Sequence, residues 1–363
     1  MHFRVDLLSL LCCGLVVTNW NSQQWTHPKD DGKYSDSDVF TAVGDWPVIF
    51  GYNFLEMLDG ESFTDHAKWA FENGGVVNFY WEAKNPTNNA DAYNCNNNPI
   101  EAILPNGDEH DTWLGWLDEI AEFAKGLQVG GKHVPIIFRL FHEMSGFWYW
   151  WGTKCATDDQ FKHAWNMTVS YLRDTKHVHN ILYAYAPAKP SEYYDIAFGG
   201  RWPGDEWVDI ISWDRYDKNT TYRQTIKNDC KVVVPFAQEH KKVVALGETG
   251  VAGGVQDTTD PEWFYEQMFK PLATDEYCGS LSYLLTYVNY KETEYWVPIQ
   301  GQATYPGFVD AYTSKNSIFL GDDRWQQTGY YQGANATCCH AVDVKNSASN
   351  KAHYRPLDGK NNP

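Results

Sequence analysis

The chain is short of positive charge. Its 363 residues carry 29 Lys and Arg against 47 Asp and Glu, a formal net charge of -18. A surface that acidic repels phosphate backbones, which sets nucleic acid aside as a partner, and it disfavours anionic polysaccharides such as pectate for the same reason. A neutral glycan meets no such penalty. No apolar run approaches the roughly 20 residues of a membrane span, so no membrane partner is expected. None of the eight cysteines falls in a C-x-x-C pair, which argues against a zinc ribbon. No Gly-rich dinucleotide loop and no clear metal-ligand cluster occur, so neither a cofactor nor a metal is expected. The pair His142-Glu143 does not make a zinc-protease motif, because the position four after His142 is Gly146 rather than a second His.

Aromatic residues are abundant at 16%, with 17 Trp and 23 Tyr. Most belong to a core, but such an excess of Trp is typical of sugar-binding clefts. The cysteines are Cys12, Cys13, Cys95, Cys155, Cys230, Cys278, Cys338 and Cys339. An even count favours disulfides in an extracellular protein, with the pairing open. The sequons at Asn166, Asn219 and Asn335 point the same way. Leu7 to Val17 is apolar, but Asp6 interrupts its start and no small-x-small cleavage site follows. The expectation is therefore a structured segment: a short helix through Leu8 and Leu11, then a strand Gly14–Asn19, in a secreted protein whose leader lay upstream.

Seven further strand candidates follow: Pro47–Asn53, Val76–Trp81, Pro135–Phe141, Ile181–Tyr185, Val208–Trp213, Val243–Leu246 and Leu281–Tyr287. Helical patterns lie between them. Asp111 is read as the cap of a helix bearing Trp113, Leu117, Ile120 and Ala124 and ending toward Gly130-Gly131; Asp158 as the cap of one bearing Phe161, Trp165, Val169 and Leu172; Asp260-Pro261 as a third cap. Alternating strands and helices predict a parallel sheet, and eight of them a closed α/β barrel in one domain spanning 1–363. From about residue 321 composition turns polar, read as a closing helix region and a tail. The Asn-rich segment Asn85–Asn98 follows a strand end and belongs to the loops around the active site.

Two strand ends carry chemistry. The apolar run Ile136 to Phe141 breaks into His142-Glu143, then Ser145-Gly146 and the aromatics Trp148 to Trp151. A carboxyl where a buried strand surfaces is partly desolvated, which raises its pKa and suits a general acid. Lys242 to Gly250 likewise surfaces at Gly247-Glu248. The run Arg139…His142-Glu143-Met144-Ser145-Gly146…Trp148…Trp150-Trp151 resembles the acid/base motif of glycoside hydrolase family 26, with Ser145 in place of the usual Asn. Ala245-Leu-Gly-Glu248-Thr-Gly250 resembles that family's nucleophile strand, and Asp214-x-Tyr216 its sixth-strand motif. The resemblance also helps admit the first strand, the least distinct of the eight.

The resemblance implies a (β/α)8 barrel and a retaining mechanism, with Glu143 as acid/base at the end of strand four and Glu248 as nucleophile at the end of strand seven. It implies that Tyr216 donates a hydrogen bond to Glu248, that His142 contacts the sugar, and that Trp148 stacks on the far side of the cut. Arg139 and Asp214 are expected in support. Trp81 with Asn85-Pro86 resembles another family segment, although Glu82 stands where a His is usual. On strand eight Tyr287 would be the sugar platform, and Asn289 occupies the place of an Arg that helps grip a distal mannose. The expected activity is endo-β-1,4-mannanase on mannan or glucomannan, by a monomer. The alternatives are another β-glycanase of the family, on β-1,3-xylan or mixed-linkage glucan, and a barrel that binds glycan without cutting.

Overall fold

The computed structural model describes residues 15–20, 37–192, 196–289, 291 and 293–330. Eight parallel strands close into a barrel. They are β1 (Leu15–Trp20), β2 (Ile49–Asn53), β3 (Val76–Tyr80), β4 (Ile136–Arg139), β5 (Ile181–Tyr185), β6 in two pieces (Ile210–Ile211 and Asp214–Asp217), β7 in two pieces (Val243–Val244 and Leu246–Val251) and β8 (Tyr283–Thr286). Each strand pairs with its sequence neighbours, and β1 pairs with β8 to complete the ring. A strand inside such a ring is covered on both faces, which is why β4 and β5 are apolar runs without polar alternation and are buried throughout. The breaks, at 212–213 and at Ala245, come just before the pieces that carry Asp214, Tyr216 and Glu248.

The helices bury the stripes that their spacing predicts, but two caps differ. The helix α1 (His110–Gly126) buries Trp113, Leu117, Ile120 and Ala124. Glu109, not Asp111, stands at its cap position, and Asp111 lies in the first turn, where a negative charge still suits the helix dipole. Gly130 and Gly131, at φ 56° and 77°, form the turn of a small hairpin beyond the helix end. In α2 (Asp158–Ser170) the cap is Thr157, in a reciprocal box with Gln160; Asp158 is instead taken by Arg201, whose Nε lies 2.8 Å away. Asp260 accepts a turn bond from the Glu262 amide (3.0 Å), and helical structure begins after it. The helix α3 (Tyr222–Glu239) is joined to the segment before β8 by Cys230–Cys278, and Cys95–Cys155 ties the 85–98 loop to the loop after β4.

The polar composition after residue 321 does not mark the end of the packed structure. Trp325 is 1% exposed and its indole donates to the Gly74 carbonyl (2.9 Å), while the Gly321 amide donates to Asp45 (2.9 Å). The expected helix through Leu8 and Leu11, the sequon at Asn335 and the cysteines at 12, 13, 338 and 339 lie outside the described residues. Replacing Trp325 with Ala should therefore cost about 3–5 kcal/mol in urea denaturation, the range for emptying a packed aromatic site; a change within about 0.5 kcal/mol, as for a surface residue, would show that 321–330 is not part of the folded unit.

Candidate active site

Glu143 reaches the barrel mouth through a sharp turn. β4 ends at Arg139, and both Phe141 (φ 47°) and Glu143 (φ 55°) then adopt the left-handed region that costs non-glycine residues energy. The surroundings hold them there. The Phe141 ring stacks on Trp113 of α1 (5.6 Å, 11°), and the Glu143 amide donates to the Ala186 carbonyl at 2.6 Å. Ser145 locks the next residue pair: its hydroxyl donates to the Ala188 carbonyl and accepts from the Ala188 amide, each at 2.9 Å. The half-buried Glu143 carboxyl is pushed up to about 8, first by desolvation and then by the charge of Glu248; a 2.7 Å bond from the Trp148 indole works in the opposite direction. A carboxyl so placed still carries its proton at neutral pH.

Glu248 is held differently. Its Oε1 accepts from Arg139 Nη1 at 2.7 Å and its Oε2 from the Tyr216 hydroxyl at 2.9 Å. The second arm of the Arg139 guanidinium bonds Asp214 at 2.5 Å, and none of this ion pair is exposed. Burial alone would weaken the guanidinium's hold on its proton; Asp214 and Glu248 more than reverse that, and Arg139 stays charged. Three strands meet in this cluster: β4 supplies the cation, β6 Asp214 and Tyr216, β7 Glu248. Gly247 makes room for it, since a methyl group there would stand 2.8 Å from Asp214 Oδ1 and 3.0 Å from Arg139 Nε.

The sequence of this barrel matches the model of glycosyl hydrolase family 26 over residues 16–263, well over half of the chain. The chain belongs to glycosyl hydrolase family 26. It is similar to the mannan endo-1,4-beta-mannosidase of Bifidobacterium adolescentis, at 28% identity over 80% of the chain and 32% of that protein. Among solved structures, it is similar to the catalytic domain of an endo-beta-1,4-mannanase from Bacillus sp. JAMB-750 (TM-score 0.83, 25% identity, 93% of this chain and 95% of that one). It is also similar to a beta-mannanase of the same family from Bacteroides ovatus (TM-score 0.79, 27% identity, 89% and 96%). The chain spans about a third of the Bifidobacterium relative's length, and 52% of a Bacillus subtilis relative that is 26% identical.

Within this family 26 barrel the remaining expected residues fall into two groups. Glu143, Glu248, Tyr216, Trp148, Tyr287, Arg139 and Asp214 gather around one mouth. Trp148 folds back over Gly146, where any side chain would strike its ring, and its indole donates to Glu143. Tyr287 stays partly open and packs edge-on against Trp296 (5.2 Å). His142 is buried; its Nε2 lies 3.3 Å from the Tyr149 hydroxyl, and burial followed by the Arg139 charge holds the imidazole well below its usual range, hence neutral.

Trp81 and Asn289 are not placed to hold sugar. Strand pleating turns Tyr80 and Glu82 toward the mouth and Trp81 toward α1, where its ring lies parallel to Trp113 at 4.5 Å and is 1% exposed. Asn289 is 2% exposed, and both ends of its amide are used: it donates to Asp38 and the Val297 carbonyl (2.9 Å each) and accepts from the Trp296 and Val297 amides (2.8 and 3.0 Å). It is a loop clamp, not a substitute for an arginine.

Sequence reading missed Arg201, Tyr149 and Trp296. Buried Arg201 donates to the carbonyls of Met144, Trp151 and Ala156 and so fixes the aromatic loop after β4. No local pattern announces it. Tyr149 lay within the noted aromatic run, and the Trp296 indole bonds the Val251 carbonyl at the end of β7 (2.9 Å).

Two outcomes are expected. Gly247→Ala should lower kcat by at least about a hundredfold, because a misplaced catalytic group costs that much; a variant with unchanged kcat would show that the cluster has slack. Trp148→Phe removes the bond that favours ionised Glu143, so the carboxyl should rise further and the alkaline limb of kcat/KM against pH should move to higher pH. A limb that stays put or moves down would separate Trp148 from the acid.

Proposed function

We propose that this chain is a retaining endo-β-1,4-mannanase acting on mannan or glucomannan. The observation that carries the reading is the division between two strand-end carboxyls. Glu143 is desolvated, bonded to an indole and keeps its proton at neutral pH, whereas Glu248 lies in the arms of Arg139 and Tyr216. Retaining hydrolysis needs this pair, with one group to give a proton to the departing oxygen and one to attack the anomeric carbon. In the first step Glu143 would protonate the leaving sugar as Glu248 bonds to C1. In the second, Glu143 would take a proton from a water that releases the glycosyl group, and so regain its starting form. Arg139 and Tyr216 would hold the Glu248 carboxylate in line, and Trp148 and Tyr287 would offer ring faces to the sugars. The relatives' activity toward mannan supports the choice of polymer, and a net charge of -18 suits a neutral glycan. The two disulfides among the described residues support secretion, and no described helix is long and apolar enough to cross a membrane.

Incubation with konjac glucomannan, β-1,3-xylan and lichenan tests the polymer. Reducing ends are expected from glucomannan, and release from xylan or lichenan alone would defeat the mannanase reading. Glu248→Ala should leave less than about one percent of turnover, since losing a covalent nucleophile removes several kcal/mol of barrier lowering. Glu143→Ala should spare substrates with a good leaving group relative to polymeric mannan; equal losses on both would argue against an acid role.

A further inference from the structure

Three rings close into a triangle beside Glu248. Tyr216 of β6, Tyr287 after β8 and Trp296 each meet the other two edge to face: Tyr216 and Tyr287 at 6.2 Å and 87°, Tyr216 and Trp296 at 6.4 Å and 78°, Tyr287 and Trp296 at 5.2 Å and 84°. Contacts of this kind are directional, so each ring limits how the others turn. Two of the three have a place in the proposed chemistry. The Tyr216 hydroxyl donates to Glu248 at 2.9 Å, and Tyr287 stays partly open to the cleft. Trp296 has no such place: it is 6% exposed and offers the polymer almost no surface.

The indole is nevertheless tied from several sides. It donates to the Val251 carbonyl at the end of β7 (2.9 Å), and the Trp296 amide donates to the Asn289 side chain (2.8 Å). The neighbouring residue is docked on the loop after β7: the Val255 amide donates to the Tyr295 carbonyl (2.8 Å), and the Tyr295 amide to the Gln256 side chain (3.2 Å). The strand makes room for the ring, since a methyl group on Gly250 would stand 2.4 Å from the indole Cδ1. Val251 and Gly250 belong to the same strand piece as Glu248. The position of Trp296 is therefore set by the strand that carries the attacking carboxylate. A tyrosine side chain turns about two torsions, and one bond at its hydroxyl leaves part of that freedom. A ring wall fixed to β7 removes it.

We propose that Trp296 is a positioning residue for the reaction: it holds the Tyr216 phenol in line with the Glu248 carboxylate, and Gly250 is the gap in β7 that admits its indole. It acts through Tyr216 and touches neither sugar nor the reacting atoms. The inference rests on the retaining reading above, in which Glu248 attacks.

The test is a double-mutant cycle read in kcat on glucomannan, together with crystal structures of the variants. Trp296→Leu removes the ring, and Trp296→Phe keeps a ring but loses the bond to Val251. The first should lower kcat about tenfold and the second about fivefold, toward the low end for a hydrogen bond to a charged group. In the Tyr216→Phe background, where the hydroxyl is already gone, each should add less than about twofold. Losses that multiply in that background would overturn the proposal, because a merely structural Trp296 acts whether or not the hydroxyl is present. A kcat within about twofold of the native value in both single variants would also overturn it. In the crystal structures the Tyr216 hydroxyl should lie more than about 3.5 Å from Glu248; a bond kept at its native length would end the proposal without reference to activity. Should Trp296→Leu fail to fold, Trp296→Phe carries both readouts. If the native chain cut none of the glycans, the mannanase reading would fall alone, and that distance would still decide the role of Trp296.

Discussion

The guanidinium of Arg139 is the constraint on which the site depends. A cation with no exposed surface is tolerable only where carboxylates meet it at short range, and its two arms reach Asp214 at 2.5 Å and Glu248 at 2.7 Å. Those partners sit on β6 and β7, so one residue at the end of β4 fixes the mutual placement of three strand ends. The strands themselves contribute the rigidity: β4 is buried along its whole length, and Glu248 and Asp214 are direct register partners across β6 and β7. Removing Arg139 would leave both buried carboxyls without their shared cation, which costs more than the ion pairs contribute. The cluster therefore behaves as a unit, and Gly247 is glycine because nothing larger fits beside it.

This arrangement also explains how two glutamates in one cleft can differ. Arg139 binds Glu248 directly and acts on Glu143 only at a distance, where its effect is outweighed by desolvation and by Glu248 itself. The proton that Glu143 keeps is thus partly a consequence of the charge on its counterpart. The single cation, bonded to one carboxyl and distant from the other, breaks the symmetry between them.

The barrel and both glutamates were legible because they rest on local patterns: apolar runs of strand length, and a carboxyl where each run stops. The misreadings concern contacts that no local pattern carries. Trp81 became core because Trp113, on a helix 32 positions later, offers it a parallel ring. Asn289 clamps a loop through Asp38, 251 residues earlier. Thr157 caps α2 because Arg201 takes Asp158 away. In each case the residue type was read correctly, and a distant partner decided which way it faced.

The loops around the mouth follow a different economy from the barrel. The chain after β4 turns through left-handed residues and carries exposed Phe147 beside Trp148, a conformation that would not persist unsupported. Its support comes from outside: Arg201 gathers three of its carbonyls, Ser145 joins it to the loop after β5, and Trp150 and Cys155 join it to the 85–98 loop. The aromatic residues of this loop are thereby tied in place, although they lie outside the strands. These tethers are made by the Arg201 and Ser145 side chains, a backbone bond and a disulfide, and the exposed side chains of Tyr93 and Phe147 take no part in them.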